Sequence, residues 1–139
     1  MKTVYPVFFT KTDDIILVEV PDLEILTEGN NMSDAIEMAR DAIELKCVSL
    51  EDANATIPQP SSIQRLDVNQ CTFASDGQTV ISLVAVDSAE YRRKIDTKTV
   101  RRNVTLPSWL NYEAEHAGIN VSRLLQEALK TALGVNKTI

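Results

Sequence analysis

Three side chains in the last third of this 139-residue chain have the chemistry to read the edge of a nucleic-acid base: Arg101, Asn103 and Thr105. Arginine donates a bidentate pair of bonds to guanine, asparagine matches the adenine edge, and threonine serves either. They recur at alternate positions of Thr99-Val100-Arg101-Arg102-Asn103-Val104-Thr105-Leu106-Pro107. In an extended segment that spacing puts all three on one face, opposite Val100, Arg102, Val104 and Leu106. A solvated edge strand also selects polar residues on one face, so the elements that position the triplet have to decide between the two readings.

Pro107 suits the first turn of a helix, because its missing N–H is not needed there. The spacing of Trp109, Leu110, Ala114 and Ala117 predicts a helix over 108–117, stopped by a left-handed cap at Gly118. Asn120 is placed to cap a second helix over 121–133, in which Val121, Leu124, Leu125, Ala128, Leu129, Ala132 and Leu133 form one broad apolar stripe. A strand, helix, turn, helix unit of about 40 residues cannot satisfy a lone strand or bury a core by itself, so it requires a partner strand.

The order R-x-N-x-T-L-P followed by Gly118-Ile119-Asn120-Val121-Ser122 resembles the ribbon-helix-helix DNA-binding domain. The resemblance implies that two chains intertwine, pair their strands antiparallel and lay the ribbon in the major groove of operator DNA. Arg101, Asn103 and Thr105 then fall at the base-reading positions, and Val104 and Leu106 at core positions. Asn120, Val121 and Ser122 match the part that clamps a phosphate, and free N–H groups at a helix N-terminus are an anion site on physical grounds as well. Arg102 departs from the pattern, standing where the family often has an apolar residue, and is expected with Lys98 to meet phosphates.

The formal charge of −6 conceals an asymmetry, since residues 1–90 carry 5 Lys+Arg against 16 Asp+Glu and residues 91–139 carry 9 against 4. An acidic body with a basic tail calls for two partners of opposite charge. The run Arg92, Arg93, Lys94, Lys98, Arg101, Arg102 leads from one into the other.

In the body, 4–10 and 15–20 read as two strands around a turn at Lys11-Thr12-Asp13-Asp14, with Pro6 marking an edge or a position facing away from a ladder partner. A short third strand is expected over 24–28. A helix is expected over about 33–53, capped by Ser33, with Met32, Ile36, Ala39, Ile43, Cys47 and Leu50 on one side and Glu37, Arg40, Asp41 and Glu44 on the other. Residues 58–62 read as a loop, 63–72 as ambiguous or extended, 79–86 as the most strand-like run, and 87–98 as a linker whose basic part is 91–98.

Pro21-Asp22-Leu23, then Thr27-Glu28-Gly29, then Ser33-Asp34-Ala35-Ile36 with Ala39, Ala42 and Ile43, resemble the HicB antitoxin family over about residues 4–62. Glu24-Ile25-Leu26 stands where that family commonly has a Gly-Cys pair. The resemblance implies a reduced ribonuclease-H-like sheet and helix that covers the active site of a basic HicA-type toxin, an mRNA-cleaving ribonuclease. The acidic residues Asp22, Glu24 and Glu28 are the expected toxin contacts.

The expectation is therefore an α+β chain in three parts: a toxin-binding domain over 1–90, a basic linker over 91–98, and a ribbon-helix-helix arm over 99–139 that forms a homodimer, assembles with toxin and represses its own operon. The competing reading is a dimeric ribbon-helix-helix regulator whose N-terminal domain senses a small ligand. Asp13, Asp14, Glu19, Asp22 and Glu28 suggest a metal-dependent nuclease, but two-metal chemistry needs converging carboxylates, and neither the predicted turn nor the strand alternation brings these together. No metal, cofactor or catalytic group is expected. His116, the sole histidine, closes a short helix; Trp109 reads as packing rather than as a base-stacking platform; and Cys47 and Cys71 read as reduced, partly buried thiols. No apolar run reaches membrane-spanning length and no leader is recognisable, which points to the cytoplasm.

Overall fold

The computed structural model describes residues 1–135, and the chain divides into two compact units, Met1–Arg92 and Arg93–Ile139. Four antiparallel strands, β1 (Lys2–Lys11), β2 (Ile16–Val20), β3 (Ile25–Gly29) and β4 (Gln78–Asp87), lie in the order β3-β2-β1-β4. Thr12 closes the first turn, its hydroxyl donating to the Ile15 carbonyl (2.7 Å) and accepting from the Ile15 N–H (3.1 Å). A 3-10 turn at Pro21–Leu23, ended by Glu24 in the left-handed region (φ 54°), reverses the chain into β3.

β1 is thus an interior strand, and the Pro6 problem is solved by register. Pro6 stands opposite Leu83, whereas the ladder to β2 begins only at Phe8. The Ser88 N–H donates to the Met1 carbonyl (3.0 Å), and hydrogen-bonded pairs recur at every second residue of an antiparallel ladder. Val86, Val84, Ser82 and Val80 therefore bond toward β1, and the Pro6–Leu83 pair needs no N–H from the proline.

Alternation puts Tyr5, Val7, Phe9, Val18, Val20, Val84 and Val86 on one face, buried under helix α1 (Met32–Asp52). α1 presents Ala35, Ala39, Ile43 and Cys47 at four-residue intervals, and its small residues let it lie close to the sheet. At Gly29 the approach is so close that a Cβ would stand 2.4 Å from the Ala35 nitrogen. Tyr5 spans this core and donates its hydroxyl to the Pro58 carbonyl (2.6 Å). Burial, with the Cys47 thiol and the Asp22 charge nearby, pushes its pKa up to about 12.

Pro6, Phe8 and Thr10 are buried on the opposite face as well. There the connection between α1 and β4 crosses the sheet, with Cys71 Sγ 3.6 Å from Thr10 Oγ1. Residues 63–72 are not extended, as they carry 3-10 turns at Ile63–Arg65 and Val68–Gln70, the second closed by a reciprocal Asp67–Gln70 box. Asp22 holds this connection by accepting from the Ser61 N–H (2.8 Å) and hydroxyl, and Glu19 holds it by accepting from the Thr72 N–H (2.8 Å) and hydroxyl (3.1 Å).

Several local expectations are corrected. The cap of α1 is Asn31, not Ser33: its side chain accepts from the Asp34 N–H (2.9 Å) while Asp34 accepts from the Asn30 N–H (2.8 Å). Met32 stays exposed and Leu50 only half-buried, because the buried stripe runs through Ala35 and Val48 instead. Glu44, placed with the solvated face by periodicity, is buried and accepts from the Asp87 N–H (3.5 Å). The linker is helical over α2 (Ser88–Ile95), which Asp87 caps by accepting from the Ala89 and Glu90 N–H groups (3.1 and 3.2 Å). Those bonds, the one to Glu90 foremost, hold the Asp87 carboxyl below the usual range. Cys47 and Cys71 are both free and buried, and burial, with the Glu51 charge, pushes the Cys47 thiol up. No helix among the described residues is long and apolar enough to cross a membrane.

Two outcomes follow from this packing. Gly29→Ala forces a methyl group into the α1 backbone and should cost about 1–3 kcal/mol, read as a lower urea midpoint at unchanged m-value. Tyr5 has a folded pKa above its unfolded value of 10.0, so its contribution is complete below pH 10 and lost as pH rises toward 12. Tyr5→Phe should show a shallower loss of stability than the parent chain across that window in paired alkaline melts.

Candidate functional site

From the end of α2 the second unit runs through a stretch with neither helix nor strand, 96–107, into two helices, α3 (Ser108–His116) and α4 (Val121–Leu133). Pro107 is the residue before α3, its carbonyl accepting from Leu110 and Asn111 (both 3.1 Å). α3 ends at Ala117, and Gly118 turns the chain in the left-handed region (φ 68°) that glycine adopts without strain. Asn120 caps α4 as its position suggested, accepting from the Arg123 N–H (3.1 Å), and Gly134 (φ 69°) ends it.

Arg101, Asn103 and Thr105 lie on residues 99–106, which belong to no ladder among the described residues. The expected strand does not form, for a physical reason: among the described residues its backbone groups have no neighbouring strand to pair with. Val104 and Leu106, expected at core positions, are 51% and 38% exposed. The uncovered surface continues along α4, where Leu124, Leu125, Leu129 and Leu133 are 59%, 38%, 54% and 74% exposed. Neither helix buries a residue, although α4 keeps its apolar side chains on one stripe. Burial of each such leucine is worth about 1.5–3 kcal/mol.

Lys98, Arg101 and Arg102 are exposed, as are Asn120, Val121 and Ser122 at the start of α4. Arg92, by contrast, belongs to the body: its guanidinium grips Asp52 and Glu51 at 2.9 Å each, leaving the basic approach to the arm shorter than the sequence suggested. His116 stacks on Tyr112, with ring centroids 3.8 Å apart, and its Nδ1 lies 2.9 Å from the Tyr112 carbonyl. Trp109 and Tyr112 are 62% and 60% exposed, so the packing role expected of Trp109 is unfilled in one chain.

In the body, Glu24 and Glu28 are exposed at the β3 edge with Leu26 between them, 57% exposed, whereas both carboxylate oxygens of Asp22 accept from Ser61. Asp13 and Asp14 are exposed in the β1–β2 turn and Glu19 is held by Thr72. Among the described residues no three His, Cys, Asp or Glu side chains are grouped so as to hold a metal.

A sequence profile of the HicB-like antitoxins of bacterial toxin–antitoxin systems matches residues 5–128. Among solved structures, the chain is similar to a toxin–antitoxin complex from Streptococcus pneumoniae, at 25% identity and a TM-score of 0.60 over 95% of this chain and 99% of that one. It is also similar to antitoxin HicB3 (21%, 0.51, over 97% and 100%) and to a HicA3 and HicB3 toxin–antitoxin complex (22%, 0.50, over 61% and 99%). No curated protein sequence matches it.

The capping geometry at the start of α4 generates a direct expectation. Asn120→Ala removes the acceptor for the Arg123 N–H and should cost about 1 kcal/mol, seen as reduced protection of the first-turn amides of α4 in hydrogen exchange, with the amides of β1 unchanged.

Proposed function

Because the chain belongs to the HicB-like antitoxin family of bacterial toxin–antitoxin systems, we propose that it neutralises a HicA-type mRNA-cleaving ribonuclease with its first unit and represses its own operon with its second. The observation that carries the second half is the uncovered apolar stripe of α4, together with a segment, 99–106, that has a strand-like sequence but joins no ladder among the described residues. Both deficits are met at once by a second arm, whose strand pairs antiparallel with residues 99–106 and whose helices cover α3 and α4. Such a ribbon-helix-helix homodimer presents Arg101, Asn103 and Thr105 together in the major groove. The N-terminus of α4, at Asn120, Val121 and Ser122, is then available to a phosphate, with Lys98 and Arg102 adding backbone charge contacts.

The first unit, read as a reduced ribonuclease-H-like sheet and helix, offers its acidic β3 edge to the basic toxin. Glu24 and Glu28 are the direct contacts, and Asp22 acts there by shaping the turn that its bonds to Ser61 hold. Opposite charge speeds the encounter at low salt, and a dimeric arm carries the toxin-bound units into a larger hetero-oligomer.

A salt titration of operator and random-sequence DNA separates the roles. Arg101→Ala and Asn103→Ala should each cost about 1–3 kcal/mol on the operator and less on random DNA, while Lys98→Ala and Arg102→Ala should weaken both alike and lower the salt slope. All four variants should still rescue cells that express the toxin. Equal losses on both DNAs for the first pair remove the base-reading role, and lost rescue shows that the two activities are not separable.

A further inference from the structure

α2 is only eight residues long, and the boundary between the two units falls inside it, after Arg92. An isolated helix shorter than about 12 residues is marginal in water, so something outside α2 has to hold it. Apolar packing does not: among the described residues of α2 only Ser88 is buried, and Ile95 is 51% exposed. What holds it is polar and sits at its start and along one face. Asp87 caps it, the Ser88 N–H donates to the Met1 carbonyl (3.0 Å), and the Ser88 hydroxyl donates to Glu51 (3.2 Å). Four residues on, and so on the same face, Arg92 bridges Glu51 and Asp52 in the last turn of α1.

We propose that α2 is a releasable spacer, latched to the first unit by the bridge from Arg92 to Glu51 and Asp52. With the latch closed, the connection that runs into α3 without regular structure is 96–107. With it open, Ser88 stays as the pivot, because it is buried and bonded to Met1, and the connection becomes 89–107. An extended chain spans at most about 3.3–3.6 Å per residue, so the reach before α3 rises from about 40 Å to about 65 Å.

The bridge has the properties of a latch rather than of a permanent joint. The last turn of α1 carries no basic residue of its own, and two adjacent acids at that end oppose the helix dipole. Arg92 supplies the missing cation from another element, which ties the order of α2 to the end of α1. All three side chains are partly exposed, so the attraction is modest and is screened at high salt, where the Debye length falls to about 3 Å at 1 M. Breaking it opens no cavity and strands no buried charge, so the sheet and α1 persist while α2 alone is freed. Arg93, one residue further round the helix, takes no part in the bridge.

A distance measured on the full-length chain tests it. Leu45→Cys and Ile95→Cys put spin labels at exposed positions on α1 and at the end of α2, while Cys47 and Cys71 are buried. Dilution into unlabelled chain leaves only the distance within one molecule. At low salt the distribution should be a single narrow peak. Arg92→Ala and Arg92→Glu should broaden it and lengthen its mean, as should about 1 M sodium chloride. R92E/D52R should narrow it again, and Arg93→Ala should keep the parent peak. Hydrogen exchange of the β1 amides should stay unchanged in every variant, which separates release of α2 from unfolding of the first unit. A narrow peak that persists in Arg92→Ala, a parent distribution already broad at low salt, or equal broadening in Arg93→Ala overturns the proposal.

Discussion

A strand leaves backbone donors and acceptors on both of its sides, and each must find a partner when water is withdrawn. Much of this chain can be understood as successive answers to that demand. β1 meets it on both sides, with β4 along its length and β2 over Phe8 to Lys11. Pro6, which has no N–H to offer, is tolerated because it falls in the phase of the ladder where none is required and before the pairing with β2 begins. The side chains that flank it, Tyr5 and Val7, can then serve the core beneath α1.

Where strands run out, side chains take over the backbone. Glu19 and Asp22 accept from Thr72 and Ser61 and so hold the irregular connection across the second sheet face. Arg40 and Glu44 reach from α1 to the end of β4. Of the carboxylates that suggested metal chemistry, Glu19 and Asp22 are explained by this structural work. The acids left exposed at the start of β3 and on it, Glu24 and Glu28, are correspondingly the ones available to a basic partner.

The second unit differs in kind. Its helices are defined locally, by Asn120 at the start of α4 and by Gly118 and Gly134 after each helix. Among the described residues, its apolar side chains are nevertheless left uncovered. An amphipathic helix that buries no residue is incomplete by itself, since most helical stability comes from packing of the apolar face. Family membership and this incompleteness bear on different halves of the proposed function: the first on toxin neutralisation, the second on association of arms around DNA.

The sequence by itself determined the features set by spacing of two or 3.6 residues and by short-range capping. The four strands of the body, the long helix over them, the bounds of α4 and the Asn120 cap were all legible, because each depends on residues within a few positions of one another. The reach of Arg92 to Glu51 and Asp52, the burial of Glu44, and the role of Asp22 as a clamp on Ser61 were not, since they join residues about 40 positions apart. The choice of Asn31 over Ser33 was decided where the chain leaves β3, with Gly29 packed against Ala35. Periodicity assigns a residue to a face but not to what lies against that face. Only the tertiary structure decided which polar side chains were drawn inside, and which apolar ones, from Val80 to Leu129, were left uncovered.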